Sequence, residues 1–268
     1  FSDNKIKLLI SHCVSMADDA HTAVYFRNFR RIPLRLYLFD DGLYVIRAKK
    51  GFEQFLGKKV VAICDKSVDE LIETLDYYKS GNKSWIENSS SYFLASPDFY
   101  EAANLSTTSD SIKYEFADKK DSLSSYLYPI ENTDQSDEYS SWRDLSPIST
   151  IKTDTVDWKH VLNGLSLPLY LSYLNDEYHV EYLGSLHTMY IQFNASSNSE
   201  GFNRAIQNCF DSNNVQHLII DLRFNGGGDY TKLAAFSKTI SEKINGKIYV
   251  ITGKVTFSAG ICIAARLK

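Results

Sequence analysis

The chain has 268 residues, of which 44% are hydrophobic and 23% charged, with only 5 prolines. That is the composition of a globular protein of one large domain or two ordinary ones. Its net charge of -4 gives no reason to expect nucleic acid or an anionic membrane as a partner.

Residues 5–17 carry a helical apolar pattern, Ile6, Leu9, Ile10, Cys13, Val14 and Ala17. It ends at Asp18-Asp19-Ala20-His21-Thr22. An extended aromatic segment with Tyr25, Phe26 and Phe29 follows. His21 stands at the junction, after two acids that could orient its ring. A histidine at such a junction is more often a cap or a surface residue.

From Pro33 the pattern becomes β. Leu34, Leu36 and Leu38 alternate, Asp40-Asp41-Gly42 makes a turn, and Leu43 to Ile46 returns as a strand. Lys59 to Cys64 reads as another strand, turned at Asp65-Lys66. Ser67 with Glu70 forms a capping box for a helix over 67–79, lined by Leu71, Ile72, Leu75 and Tyr78. Residues 83–104 read as a helix, a break at Ser96-Pro97 and a second short helix. Ile112 to Phe116 alternates as a half-buried strand. A turn at Ala117 to Asp121 leads to its partner, Leu123 to Ile130. Residues 131–160 are rich in loop formers and read as a linker, with Trp142, Leu145, Pro147 and Ile148 to pin it down. Leu169 to Leu174 and Tyr178 to Leu183 are expected as a hairpin turning at Asn175-Asp176.

The remainder reads as α/β. Thr188 to Phe193 is a strand and Ser199 to Asn208 a helix. The run Leu218-Ile-Ile-Asp-Leu222 fits a strand covered on both faces. Gly226, Gly227 and Gly228 follow at once, then a helical pattern through Leu233, Ala234, Phe236 and Ile240. Lys247 to Ile251 is expected as a second buried strand, and Thr256-Phe-Ser-Ala-Gly260 leads into a helix to Leu267. In a parallel sheet both strand-to-helix turns open on one edge, where ligands bind.

Ser258 occupies such a turn. A hydroxyl there meets unpaired backbone N–H groups and the positive end of a helix, which are the conditions that stabilise an oxyanion. The competing reading is a plain N-cap. The glycine loop likewise has two readings, a phosphate cradle or an oxyanion donor facing Ser258. No G-x-x-x-x-G-K-[ST] is present and G-x-G-x-x-G fails at Tyr230 and Thr231, so the second is favoured. Cys13, Cys64, Cys209 and Cys262 are dispersed without C-x-x-C, and the six histidines form no H-E-x-x-H. No metal or organic cofactor is expected.

Ile219-Ile-Asp-Leu-Arg-Phe-Asn-Gly-Gly-Gly228, followed by Thr256-Phe-Ser-Ala259, resembles the tail-specific protease family of serine peptidases. This is the family of the C-terminal processing peptidases and the core domain of the tricorn protease. Upstream, Asp19-Ala-His-Thr22, Asp41-Gly-Leu-Tyr-Val45, Leu56 to Ile63 and Val68-Asp-Glu70 resemble, more loosely, the family's segment before its PDZ-like module and the module itself.

The resemblance implies an α/β fold: a crotonase/ClpP-like proteolytic core at 188–268, preceded by a divergent PDZ-like α+β module with a helical insertion at 33–130. Residues 1–32 would be an N-terminal helix and connecting segment, and 131–187 a linker and hairpin. It implies Ser258 as nucleophile, with Gly226, Gly227 and the Ala259 N–H as oxyanion hole. His21 matches the histidine base of the tricorn-like branch. The other branch uses a lysine further past its serine than Lys268, and that region is expected to lie beyond this chain, which is expected to be weak or inert without it. Gly260 and Ile261 stand where many relatives have an acid.

The expected partners are peptides or unfolded proteins, and the expected location is outside the cytoplasm, with no transmembrane segment in this chain. A catalytically inactive peptide-binding pseudoenzyme is the alternative, and acyl-CoA chemistry is possible by fold analogy alone.

Overall fold

Leu34, Leu36 and Leu38 alternate along one strand and are all buried, as a strand with one face on a core requires. The computed structural model describes residues 2–26, 29–117, 122–130, 141–148, 157–195 and 199–268. They divide into two compact units, residues 1–166 and 167–268. The expected turn at 118–121 and most of the expected linker, residues 131–140 and 149–156, lie outside the described residues.

The first unit begins with α1 (Asp3–Ser15), capped by the Ser2 hydroxyl on Lys5 N–H. Its sheet runs β1 (Leu34–Phe39), β2 (Gly42–Lys49), β3 (Lys59–Ile63), β5 (Ile112–Ala117) and β6 (Ser122–Leu127), in that order and antiparallel throughout. β4 (Lys66–Ser67) pairs with β3, and β7 (Trp158–His160) with β2. A bridge from Arg31 to Ile130 brings the β6 end back towards the start of β1.

Three helices cover the core. α2 (Val68–Asp76) starts behind the Ser67–Glu70 capping box, α3 (Lys83–Phe93) behind an Asn82 cap, and α4 (Pro97–Ala102) with Pro97 in its first turn. Leu71, Leu75, Ile86, Phe93 and Phe99 meet Leu36, Val45, Val60, Tyr114 and Phe116 from the strands. The wholly buried Tyr100 and Tyr114 both donate to the Leu94 carbonyl, at 3.1 and 2.8 Å, which removes the cost of burying two hydroxyls.

Buried side chains on the sheet hold the segment around Trp142. Arg47 donates to the carbonyls of Asp144 and Ser146. The His160 Nε2 donates to the Asp144 carbonyl at 2.8 Å, and its Nδ1 accepts from Leu162 N–H at 2.9 Å. Trp142 is buried here, whereas Ile148 is exposed.

The second unit contains α5 (Leu169–Ser172), β8 (Tyr178–Leu183), β9 (Thr188–Phe193), α6 (Ser199–Ser212), β10 (His217–Asp221), α7 (Ala234–Lys243), β11 (Ile248–Ile251) and α8 (Ala259–Leu267). The sheet order is β11-β10-β9-β8. β9, β10 and β11 are parallel, and β8 is antiparallel to β9. The expected hairpin of 169–174 with 178–183 does not form. Residues 169–172 are helical after Pro168, and β8 pairs with β9 instead.

The two faces of the sheet differ. Met189, Ile191, Phe193, Leu218, Ile220 and Leu222 face the helices, among Phe202, Ile206, Phe236, Ile240 and Ile263. The alternate positions carry Tyr190, Gln192, Asn194 and Asp221, all buried. The α5 region satisfies two of them: Gln192 donates to the Tyr170 carbonyl at 3.0 Å, and Asn194 to those of Tyr173 and Asp176, each at 2.9 Å. On β10 Leu218, Ile220 and Asp221 are buried, while His217 and Ile219, on the same face as Asp221, are half-buried. β11 is at the end of the sheet, and Tyr249 is half exposed, so the expectation of a second buried strand is corrected.

The burial of His160 makes the first unit sensitive to acid. Burial, then the Arg47 charge, push its pKa from 6.5 down to about 4. The unfolded chain therefore binds the extra proton between about pH 6.5 and 4, and stability is lost as pH falls through that window. From this group alone the loss is on the order of 3 kcal/mol. All three tryptophans, Trp85, Trp142 and Trp158, lie in this unit. Urea unfolding followed by tryptophan fluorescence is expected to show the loss, and His160→Gln to flatten that part of the profile.

Candidate active site

The C-terminal ends of β10 and β11 lie side by side, with Asp221 opposite Ile251. Leu222 extends the pairing by donating to the Ile251 carbonyl at 2.8 Å. Both chains then turn away from the sheet. The turn after β10 holds Phe224 to Asp229, and that after β11 holds Thr252 to Ser258.

Side chains stitch the turns together. The Thr256 hydroxyl donates to the Leu222 carbonyl at 2.8 Å and accepts from Gly253 N–H at 2.8 Å. Phe257 N–H donates to the Asn225 carbonyl at 3.0 Å. The Asn225 side-chain oxygen accepts from Gly227 N–H at 3.0 Å, an Asx turn. Sequence reasoning assigned roles to neither Thr256 nor Asn225. The available signal was an asparagine two residues before a glycine, which often bonds forward onto that residue's N–H.

The structure brings Ser258 and the glycine loop together. A Cβ built on Gly227 would lie 2.9 Å from the Ser258 Cβ and 3.4 Å from its Oγ. Only a residue without a side chain fits there, and the φ of +120° at Gly227 also calls for glycine. Gly227 N–H is engaged by Asn225, so in this conformation Gly227 contributes its close approach. Gly226 is exposed, with nothing within 4 Å of a Cβ, and its N–H meets no acceptor among the described residues. Ala259 is buried at the first position of α8, where an N–H has no partner within the helix.

Ser258 itself has φ +52° and ψ -117° and makes no side-chain capping bond to α8. The N-cap reading requires an extended backbone and a hydroxyl turned onto the helix. Neither is found. The observed dihedrals lie where non-glycine residues are rare, at a cost of about 1–3 kcal/mol.

Beneath the loop, Asp221 is buried and accepts from the Tyr190 hydroxyl at 2.8 Å and from Arg223 Nε at 2.9 Å. Burial, and then the Asp221 carboxylate, push the Tyr190 phenol well up, so it remains a donor. The Arg223 guanidinium stacks over the Tyr170 ring at 3.9 Å.

His21 lies in the first unit, in the turn after α1, with an exposed side chain. Its Nδ1 is 3.5 Å from Asp19 Oδ1, and its N–H donates to the same oxygen at 3.2 Å. The Thr22 hydroxyl and then the His21 N–H hold the Asp19 carboxyl below its usual range. Among the described residues no group of three or more His, Cys, Asp or Glu could hold a metal ion. No described helix is long and apolar enough to cross a membrane.

Residues 187–242 match the model of peptidase family S41. This is the tail-specific protease family. The S41 match contains β9, α6, β10 and the glycine loop, and ends in α7 before Ser258 is reached. A serine-peptidase-like domain of mixed α/β architecture is what it supports. No curated protein matches the chain.

The backbone of Ser258 sets a stability test. Ser258→Gly is expected to be more stable than Ser258→Ala by about 1 kcal/mol, because glycine relieves the strain. Calorimetry on the two variants measures this. Gly227→Ala, with its Cβ against Ser258, is expected to destabilise by about 1–3 kcal/mol. Gly226→Ala should stay within about 0.5 kcal/mol of the parent.

Proposed function

We propose that this protein is a serine-type peptidase that cleaves extended or C-terminal polypeptide segments through an acyl-enzyme on Ser258. The observation that carries the reading is the strained, non-capping Ser258 held against Gly227 at the C-terminal edge of parallel strands. A sharp turn of this kind exposes a nucleophile at the top of a sheet. The S41 match over the loop it faces supports the same chemistry.

In this mechanism the Ser258 Oγ attacks the scissile carbonyl carbon and its proton passes to a general base. Negative charge develops on the carbonyl oxygen. Gly226 and Ala259 N–H groups would stabilise it, with Gly227 providing the clearance. Collapse breaks the C–N bond, and the amine leaves with the proton taken from Ser258. Water then attacks the ester, returning the proton to Ser258 and releasing the acid.

The resemblance nominates His21 as base, and the Asp19 carboxylate beside its Nδ1 supports that role, since a base needs its ring held in one orientation. The antiparallel sheet of the first unit is proposed as a PDZ-like module that offers a strand edge to an extended peptide, and the second sheet as a crotonase/ClpP-like core. The place of action is proposed to be extracytoplasmic.

The test uses internally quenched peptides and a peptide p-nitrophenyl ester. The intact protein is expected to cleave the peptides and to give a burst of nitrophenol, with the acyl group located on Ser258 by mass spectrometry. Ser258→Ala should abolish both signals and His21→Ala should remove most of the turnover. Peptide binding without cleavage or acylation would instead establish the pseudoenzyme reading. Undiminished cleavage by His21→Ala would transfer the base to another residue.

A further inference from the structure

We propose that Asn225 is the positioning residue of this site, fixing the spacing between the glycine loop and the turn that carries Ser258. The inference rests on the peptidase reading above and adds to it a residue that touches neither substrate nor reacting atoms.

Asn225 is fully buried, at 0% exposure, and every polar group it has is engaged. Its N–H donates to the Leu222 carbonyl at 3.0 Å and its carbonyl accepts from Phe257 N–H at 3.0 Å. Its side-chain oxygen accepts from Gly227 N–H at 3.0 Å, and its side-chain nitrogen donates to the Phe193 carbonyl at 3.0 Å. One residue therefore joins the end of β9, the glycine loop and the residue before Ser258.

Packing closes the remaining side. Gly260, in the first turn of α8, lies so close that a Cβ there would sit 2.7 Å from the Asn225 carbonyl oxygen and 3.0 Å from its side-chain oxygen. The start of the helix that follows Ser258 thus rests directly on Asn225.

The chemistry of the residue fits the task. The site needs an acceptor towards Gly227, a donor towards Phe193 and no net charge. A carboxylate of the same shape supplies the acceptor, but sets a negative charge against the Phe193 carbonyl and close to a developing oxyanion. An aliphatic side chain supplies neither bond and leaves the buried Phe193 carbonyl and the half-buried Gly227 N–H without these partners. The ring closed by the bond from Gly227 N–H to the Asn225 side chain contains the peptide between Asn225 and Gly226, and so restricts the setting of the Gly226 N–H. Displacement of a reacting group by about 1 Å can cost roughly 100-fold in rate.

The experiment measures acylation rate with the peptide p-nitrophenyl ester, kcat and KM with the quenched peptide, and thermal stability. The variants are Asn225→Asp, Asn225→Ala and Gly260→Ala. The last presses on Asn225 from the helix without altering its amide. Ile206→Val, in the core of the same unit, is the control for loss of stability alone.

Acylation and kcat are expected to fall by about 100-fold in the Asn225 variants, with KM within about threefold of the parent. Gly260→Ala should show the same split, and Ile206→Val should keep the parental rate. Protonation makes the carboxyl introduced by Asn225→Asp neutral and able to donate. The acylation rate of that variant, relative to the parent at the same pH, is therefore expected to rise as pH falls from about 8 towards about 5.

Folded Asn225 variants that acylate within about threefold of the parent would overturn the proposal. So would a loss that Ile206→Val reproduces at equal stability. If neither Asn225 variant folds, Gly260→Ala decides: the split in kcat upholds the proposal and its absence overturns it. A parent protein not acylated at Ser258 would sink the peptidase reading itself, and this inference with it. An acylated parent beside equally acylated variants sinks only the role of Asn225.

Discussion

The geometry of the candidate site turns on the hydrogen bond from Phe257 N–H to the Asn225 carbonyl. Parallel pairing ends at Leu222 and Ile251, and nothing in a sheet dictates how two chains diverge after their last shared bond. Here they stay joined. Thr256 ties the second turn to Leu222 and Phe257 ties it to Asn225. The strained backbone of Ser258 is tolerable only because residues on either side of it are held. Phe257 is fixed by the bond to Asn225, and Ala259 and Gly260 are buried in the helix start.

The polar face of the same sheet serves that arrangement from below. Asp221 is a buried acid at the end of β10, and its charge is met by Arg223 and the Tyr190 hydroxyl. Gln192 and Asn194 continue the row and hand their donors to backbone carbonyls around α5. A buried network is stabilising only when its members are satisfied. This one is built from neighbouring strands and a short helix, so it fixes the strand ends from which the glycine loop departs. The apolar face supplies the bulk of the burial, with Phe202 and Phe236 in contact at 5.1 Å between ring centres.

Much of this was legible in the residues. The Ser67–Glu70 box marks the start of α2, Pro97 marks the start of α4, and the triple glycine marks the turn that meets Ser258. Each rests on a local rule with a steric or hydrogen-bonding cause. The hairpin expected at 169–183 shows where local rules stop. Leu169 to Leu174 is a short apolar run, and such runs do not distinguish strand from helix. What decides is long-range: buried Gln192 and Asn194 need acceptors, and the helical turn after Pro168 with the residues that follow it supplies them. The exposure of Tyr249 was equally out of reach, since the order of strands, not the run 247–251, makes β11 terminal. The bonding of Asn225 was not read from the sequence. An asparagine two residues before a glycine was a local signal for the forward bond to Gly227, whereas the bond to Phe193 and the contact with Gly260 join residues far apart in the chain.

The dihedral angles of Ser258 bear on how this chain can change over generations. Glycine would occupy φ +52° and ψ -117° at lower cost than serine. A lineage that ceased to need the hydroxyl would gain stability from that single replacement, whereas alanine would lose the hydroxyl and keep the strain. The fold therefore sets a direction for decay at this position, and glycine is its end point. In any collection of descendants, the residue found here separates chains that still depend on the hydroxyl from chains free to discard it.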